Sequence, residues 1–158
     1  MSLTIVTLSD RPDLLTIVAT WIYEQWWSHR SEHSVESVSK MLIERRASDQ
    51  IYESFVALDN SDPVGTATVL DHDIDTERRP DLTPWVAAVY VIPEARRQGI
   101  GKQLVSRATT YAFSKRYKSV YLWTNDRRKW YEKLGWQLLE QYEHNNAVVS
   151  ILKHEIAA

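Results

Sequence analysis

Val86-Ala87-Ala88-Val89-Tyr90-Val91-Ile92-Pro93-Glu94-Ala95-Arg96-Arg97-Gln98-Gly99-Ile100-Gly101-Lys102 joins an apolar run to a loop carrying glycine and positive charge, and then to a helical run. A run of this kind from Trp85 to Ile92, with hardly a polar residue, predicts a central strand buried on both faces. Proline and the charged residues end it. Helical spacing then takes over, with Leu104, Val105, Ala108, Tyr111 and Ala112 on one side. A helix start carries N–H groups without intrahelical partners and a partial positive charge. Glycines let the backbone approach a phosphate with no side chain between. Arg96, Arg97 and Lys102 add formal charge. The local physics asks for a phosphorylated ligand held mainly by main chain.

Two other phosphate loops fit this stretch less well. A dinucleotide fingerprint needs Gly or Ala three residues past Gly101, where Leu104 stands. A P-loop needs Ser or Thr after Gly101-Lys102, where Gln103 stands.

Working outward, Leu3 to Leu8 alternates weakly and predicts a first strand. Ser9 or Asp10 caps a helix with Pro12 in its first turn, its apolar positions continuing through about Trp26. Ser34 caps a second helix ending near Ala47. Tyr52 to Leu58 and Val64 to Leu70 form a hairpin around the turn cluster Asp59-Asn60-Ser61-Asp62-Pro63. Asp71 to Pro84 is polar, holds two prolines and predicts a loop. The longest helix runs from Gly99 to Arg116 and is followed by a short buried strand, Val120 to Trp123. A short helix from Arg127 to Leu134 stops at Gly135, and a last hairpin pairs Trp136 to Tyr142 with Ala147 to Lys153. The order is β-α-α-β-β-β-α-β-α-β-β, a mixed α/β sheet. No linker or repeat divides the chain, and its 158 residues suit one domain, 1–158.

Composition narrows the functional classes. Nineteen basic against 21 acidic side chains give a formal charge of −2, which lends nothing to nucleic-acid binding. There is no cysteine, so disulfides, a thiolate zinc site and a cysteine nucleophile are excluded. A cytoplasmic setting fits. No apolar stretch has the length of a membrane span, and residues 1–10 lack the basic and apolar blocks of a signal peptide. His29 and His33 are four apart but sit in a polar stretch without a zinc-helix pattern, so no metal is expected. A serine hydrolase is disfavoured because no Gly-x-Ser-x-Gly elbow occurs. Seven Trp and eight Tyr are many for this length and suit the walls of a pocket.

The pattern Arg96-x-x-Gly99-x-Gly101 after a strand resembles the acyl-CoA pyrophosphate loop of the GNAT superfamily of N-acyltransferases. Val89 to Glu94 before it, and Trp130-Tyr131-Glu132-Lys133-Leu134-Gly135-Trp136 after it, resemble further segments of that family. The element order matches as well, so the resemblance covers essentially the whole chain. It implies a mostly antiparallel mixed sheet flanked by helices and acetyl-CoA as co-substrate. It implies that main-chain groups of Val89 and Val91 pair with the pantetheine arm. The side chains of those two residues read as core packing. Arg96, Arg97, Gln98, Gly99, Ile100, Gly101 and Lys102 would hold the pyrophosphate. Asn125 resembles the polar residue that contacts the donor in many relatives, and equally suits a helix cap.

By the same resemblance, Tyr131 stands near the acyl-CoA sulfur as general acid. The backbone N–H of Val89 would meet the oxyanion. A cationic amine must lose a proton before it attacks. Glu24 and Asp73 are the candidate bases, each equally readable as a solvated surface charge. Trp26 and Trp85 are the candidate aromatic substrate contacts.

The function read in this way is N-acetylation of a small-molecule primary amine. Two alternatives stay open: a protein or peptide N-terminal or lysine acetyltransferase, and a CoA-binding regulatory module without turnover. Membrane and nucleic-acid partners are not expected, and the family habit of dimerising leaves a homodimer open.

Overall fold

The computed structural model describes residues 2–73 and 78–157. Among these, seven strands form one sheet in the order β1-β2-β3-β4-β5-β7-β6. Strand β1 is Leu3–Thr7, β2 Tyr52–Asp59, β3 Asp62–Leu70, β4 Trp85–Val91, β5 Ser119–Thr124, β6 Gln137–His144 and β7 Ala147–Glu155. Neighbouring strands run antiparallel, apart from β4 and β5, which are parallel. Helices α1 (Leu15–Ile22) and α2 (Val35–Ala47) cover one face. Helices α3 (Ile100–Ser114) and α4 (Arg128–Lys133) cover the other.

Each covered face has its own apolar layer, and strand alternation sorts residues between them. In β2, Phe55 and Ala57 join Leu104, Val105 and Ala108 of α3. Tyr52, Val56 and Leu58 join Val18, Ile22, Val38 and Leu42 of α1 and α2. The last turn is set by Asn145 and Asn146, both at positive φ (51° and 63°), as a two-residue hairpin demands.

The expected order of elements is found, with two differences. The first helix does not run evenly to Trp26: α1 passes at Tyr23 into a π-helical turn, Tyr23–Trp27. Strand β4 lies in the middle of the sheet but is not buried on both faces. Trp85 and Val86 are buried, whereas residues from Ala87 to Val91 are half-buried. The cause is pairing: β4 and β5 register only at Trp85↔Tyr121, so β4 lacks a partner on that side beyond its start. Residues 74–77, inside the polar loop expected over 71–84, lie outside the described residues.

Helix α2 begins with a reciprocal cap. The Ser37 N–H donates to Ser34 Oγ at 3.1 Å, and the Ser34 N–H donates to Ser37 Oγ at 2.8 Å. Ser34→Ala is expected to lower unfolding free energy by about 1 kcal/mol, read as a lower urea midpoint with an unchanged slope. An unaltered midpoint would show that packing alone fixes the start of the helix.

Candidate active site

Strand β4 is interrupted by a bulge. Its register against β3 shifts between Thr66↔Tyr90 and Thr68↔Ala87, and Ala88 takes φ +53°. The extra residue resets alternation. Ala87 and Ala88 both face the α1–α2 side, while Val89 and Val91 face α3. Ala88 and Val89 have no registered partner in β3, and β5 registers only with Trp85. The bulge therefore interrupts the ladder at Ala88 and Val89, beside the gap that opens between β4 and β5 past Trp85.

On the α3 side, the loop after β4 tightens toward the helix start. Arg97 and Gly99 both adopt left-handed backbone, at φ 64° and 80°. Left-handed residues turn successive N–H groups into an anion-binding concavity. The Gln103 N–H bonds to Gly99 O at 3.2 Å, so the N–H groups of Ile100, Gly101 and Lys102 lie ahead of the first helical bond. A Cβ at Gly99 would meet nothing within 4 Å, so the space above it is open. Arg97, Gln98 and Lys102 are exposed around it. Arg96 folds back instead. Its Nε–H donates to Val91 O at 2.8 Å, and its guanidinium lies 5.7 Å from the Tyr90 ring. Arg96 thus fixes the end of β4 and occupies one acceptor direction of a carbonyl assigned to the pantetheine arm.

Tyr131 projects from α4 into the same layer, buried and set edge-on to Trp130 (4.8 Å) and Trp136 (6.1 Å). Burial pushes its phenol up to about 12; Arg127 lowers it and Asp126 raises it by smaller amounts. The phenol therefore keeps its proton at neutral pH. Trp130 lies 3.4 Å from the point where a Gly101 Cβ would sit, closing the space between the loop and Tyr131. Asn125 is exposed in the turn after β5 and is not the cap of α4. Arg127 holds the cap position, and its N–H donates to Thr124 Oγ1 at 3.0 Å.

The opposite side of the gap holds a cavity of about 110 Å³. Ile22, Trp26, Trp27, Met41 and Leu42 form its helix side, and Leu70, Ala87, Ala88 and Trp123 its sheet side. Arg45, Tyr52, Thr68 and Asp73 supply the polar groups. Tyr52 lies 3.3 Å from Ser54 Oγ, which in turn lies 2.8 Å from Thr68 Oγ1. Desolvation raises the Tyr52 phenol above its ordinary value. Asp73 Oδ2 accepts the Trp123 indole N–H at 2.9 Å. The π-helical turn brings both Trp26 and Trp27 to the wall, a use of helical irregularity common at functional sites.

Of the residues singled out in the sequence, Trp26 and Asp73 line this cavity. Glu24 does not: it is exposed on the π turn and off the lining. Trp85 is not on the wall either. It is 0% exposed in the α1–α2 layer, and its indole N–H is used on Leu82 O at 2.8 Å. Its place before the strand suggested a wall, but the first residue of β4 is the one that β5 still covers. Trp123, Arg45, Tyr52 and Thr68 were not foreseen. Their spacing is ordinary for strands and a helix end, and it marks none of them as facing a cavity.

Among the described residues no group of three or more His, Cys, Asp or Glu side chains is arranged to hold a metal ion. No helix of the described residues is long and apolar enough to cross a membrane.

The model of the acetyltransferase (GNAT) family matches residues 18–136. No curated protein matches the sequence. Among solved structures, an aminoglycoside 6'-N-acetyltransferase complexed with coenzyme A is similar at TM-score 0.74 and 15% identity, covering 100% of this chain and 98% of that one. An aminoglycoside 6'-acetyltransferase type Ii is similar at TM-score 0.74 and 18% identity, covering 100% and 99%. A chain of the NatC complex bound to Gag peptide and CoA is similar at TM-score 0.71 and 16% identity, covering 99% and 100%. At these identities the likeness speaks to the fold.

Proposed function

Because the chain belongs to the GNAT family of acetyltransferases, we propose that it moves the acetyl group of acetyl-CoA to the primary amine of a small molecule by direct attack. The observation that carries this reading is the gap between β4 and β5. It opens past the single register pair Trp85↔Tyr121. The turn before α3 and Tyr131 lie on one side of it and the aromatic cavity with Asp73 on the other. A thioester lying in the gap would present its carbonyl to the bulge and its sulfur to the α4 side.

The chain's own groups then divide the work. N–H groups at the start of α3, with the turn from Arg97 to Gly99, hold the pyrophosphate. Main chain of Val89 and Val91 lies along the pantetheine arm, as an added strand would. Asp73 takes the ammonium proton, directly or through water. The Val89 N–H meets the oxyanion, and Tyr131 donates to the departing sulfur. Side chains of α1, the π turn and α2, with Asp73, line the acceptor end as a pocket, which favours a small molecule over an extended peptide.

Calorimetric titration with acetyl-CoA, dephospho-CoA and NAD tests the donor site. The expected result is tight acetyl-CoA binding and none of NAD, followed by thiol release when amines are supplied. Absence of acetyl-CoA binding by folded protein would overturn the reading. Binding without turnover of any amine or peptide would make the chain a CoA-binding module instead.

A further inference from the structure

We infer that the Thr68 hydroxyl accepts a hydrogen bond from the attacking nitrogen and so aims its lone pair at the thioester. The inference rests on the acetyltransferase reading above. It concerns how the acceptor end presents an amine, whatever body that amine carries.

Three hydroxyls form a buried chain beneath the cavity. Tyr52 OH lies 3.3 Å from Ser54 Oγ, and Ser54 Oγ lies 2.8 Å from Thr68 Oγ1. Ser54 and Thr68 are paired across β2 and β3, and Ser54 is fully buried. Thr66, two residues away, spends its hydroxyl proton on Phe55 O at 2.8 Å. Thr68 has only the Ser54 hydroxyl as side-chain partner among the described residues. With both bonds of the chain running one way, a proton is left over at one end and a free acceptor at the other. Both ends, Tyr52 and Thr68, line the cavity. The chain therefore offers the cavity an acceptor as well as a donor.

Position selects the Thr68 end. Thr68 registers with Ala87, the last residue of β4 paired with β3 before the bulge at Ala88. Side chains paired in this way start about 5 Å apart, which puts the Thr68 hydroxyl beside the opening gap. Tyr52 registers with Leu70, and Leu70 with Trp85, where β5 still covers β4.

The rest of the wall makes this oxygen count. The side chains of Arg45 and Trp123 are donors only, and those of Ile22, Leu42, Leu70 and Ala88 offer neither donor nor acceptor. A neutral amine attacking from the cavity carries N–H bonds beside its lone pair, and leaving one unpaired there is unfavourable. When Thr68 accepts one of them, it donates to Ser54, and Ser54 donates to Tyr52. Each hydroxyl becomes a better acceptor by donating. No proton changes owner in this arrangement. The hydrogen bond fixes the direction of the lone pair, which removes part of the orientational barrier.

The test compares Thr68→Val, which keeps the branched shape and removes the hydroxyl, with Thr68→Ser, which keeps the hydroxyl and removes the methyl. Initial rates of CoA thiol release are measured with acetyl-CoA and, separately, spermidine, kanamycin, 2-phenylethylamine and a peptide with a free N-terminus. The variants are compared on the acceptor that the parent turns over fastest. Thr68→Val is expected to lower kcat by about 10- to 100-fold and to leave acetyl-CoA affinity unchanged by calorimetry. Thr68→Ser is expected to keep most of the parental kcat. A packing role would reverse that order, with Ser the slower of the two. That reversal, or parental kcat in Thr68→Val, would overturn the inference and leave the acetyltransferase reading standing. If Thr68→Val does not fold, Thr68→Ala takes its place, since it differs from Thr68→Ser by the hydroxyl alone. No thiol release by the parent with any acceptor, while acetyl-CoA still binds, would overturn the inference together with the turnover on which it rests.

Discussion

Tyr131→Phe is expected to lower kcat by roughly 10²–10³-fold while leaving acetyl-CoA affinity unchanged. The ring sits between Trp130 and Trp136, and Phe keeps that packing and removes only the hydroxyl. The size of the loss follows from what the phenol is able to do. Burial holds it at about 12, more than three units above an ordinary thiol near 8.5. Complete proton transfer to a CoA thiolate therefore runs uphill. The phenol contributes mainly as a hydrogen-bond donor to sulfur as charge develops there, which is worth about what a single oxyanion-hole donor is worth.

A raised value also fixes the sign of the pH dependence. The donor form persists as pH rises and is lost only on passing about 12. Tyr131 therefore imposes no alkaline fall in kcat between about pH 7 and 10. Steady-state rates across that range, with titrations of both proteins, check the expectation. Full activity in Tyr131→Phe would remove the hydroxyl from the mechanism. Loss of acetyl-CoA binding would make it a structural group.

The second large effect is at the loop. Gly99→Asp is expected to weaken acetyl-CoA binding by at least roughly a hundredfold. Gly99 caps α3 at φ +80°. A carboxylate there would fold over the N–H groups of the first turn and occupy the place of the pyrophosphate. Two like charges about 5 Å apart at an effective dielectric near 20 repel by about 3 kcal/mol, which corresponds to that loss.

Gly99→Ala separates charge from strain. Its methyl meets nothing within 4 Å, so it adds no clash. The left-handed backbone costs about 1–2 kcal/mol of stability, a cost carried equally by the free and bound forms. Calorimetry should therefore show Ala close to the parent in affinity and Asp far from it, with the gap narrowing in high salt. Equal weakening in both variants would mean that shape, and not charge, governs this loop.

Much of the fold was legible in the sequence because it depends on local spacing. The helical positions Leu104, Val105 and Ala108 and the Ser34 cap specify elements with no help from the rest of the chain. So does the strand-to-helix turn carrying Gly99. The residues proposed for the donor side, Arg96 to Lys102 and Tyr131, could be singled out for the same reason, since they lie in two short segments; that Arg96 folds back onto Val91 O could not. The acceptor side was read only in part. Trp26 and Asp73 line the cavity, whereas Glu24 and Trp85 do not. A sequence pattern shows that a tryptophan is available but not which way a twisted sheet turns it.

The sequence by itself determined the order of the elements, the glycine turn at the head of α3 and the position of a phenol on α4. These depend on backbone preference and on spacing within one turn or one strand. Only the tertiary structure decided that β4 parts from β5 after Trp85, that Ala88 bulges and that α1, α2 and Asp73 close a cavity against Trp123. Those features arise where strands far apart in the chain fail to pair. An unmade hydrogen bond between distant strands leaves no local mark in the residues on either side of it.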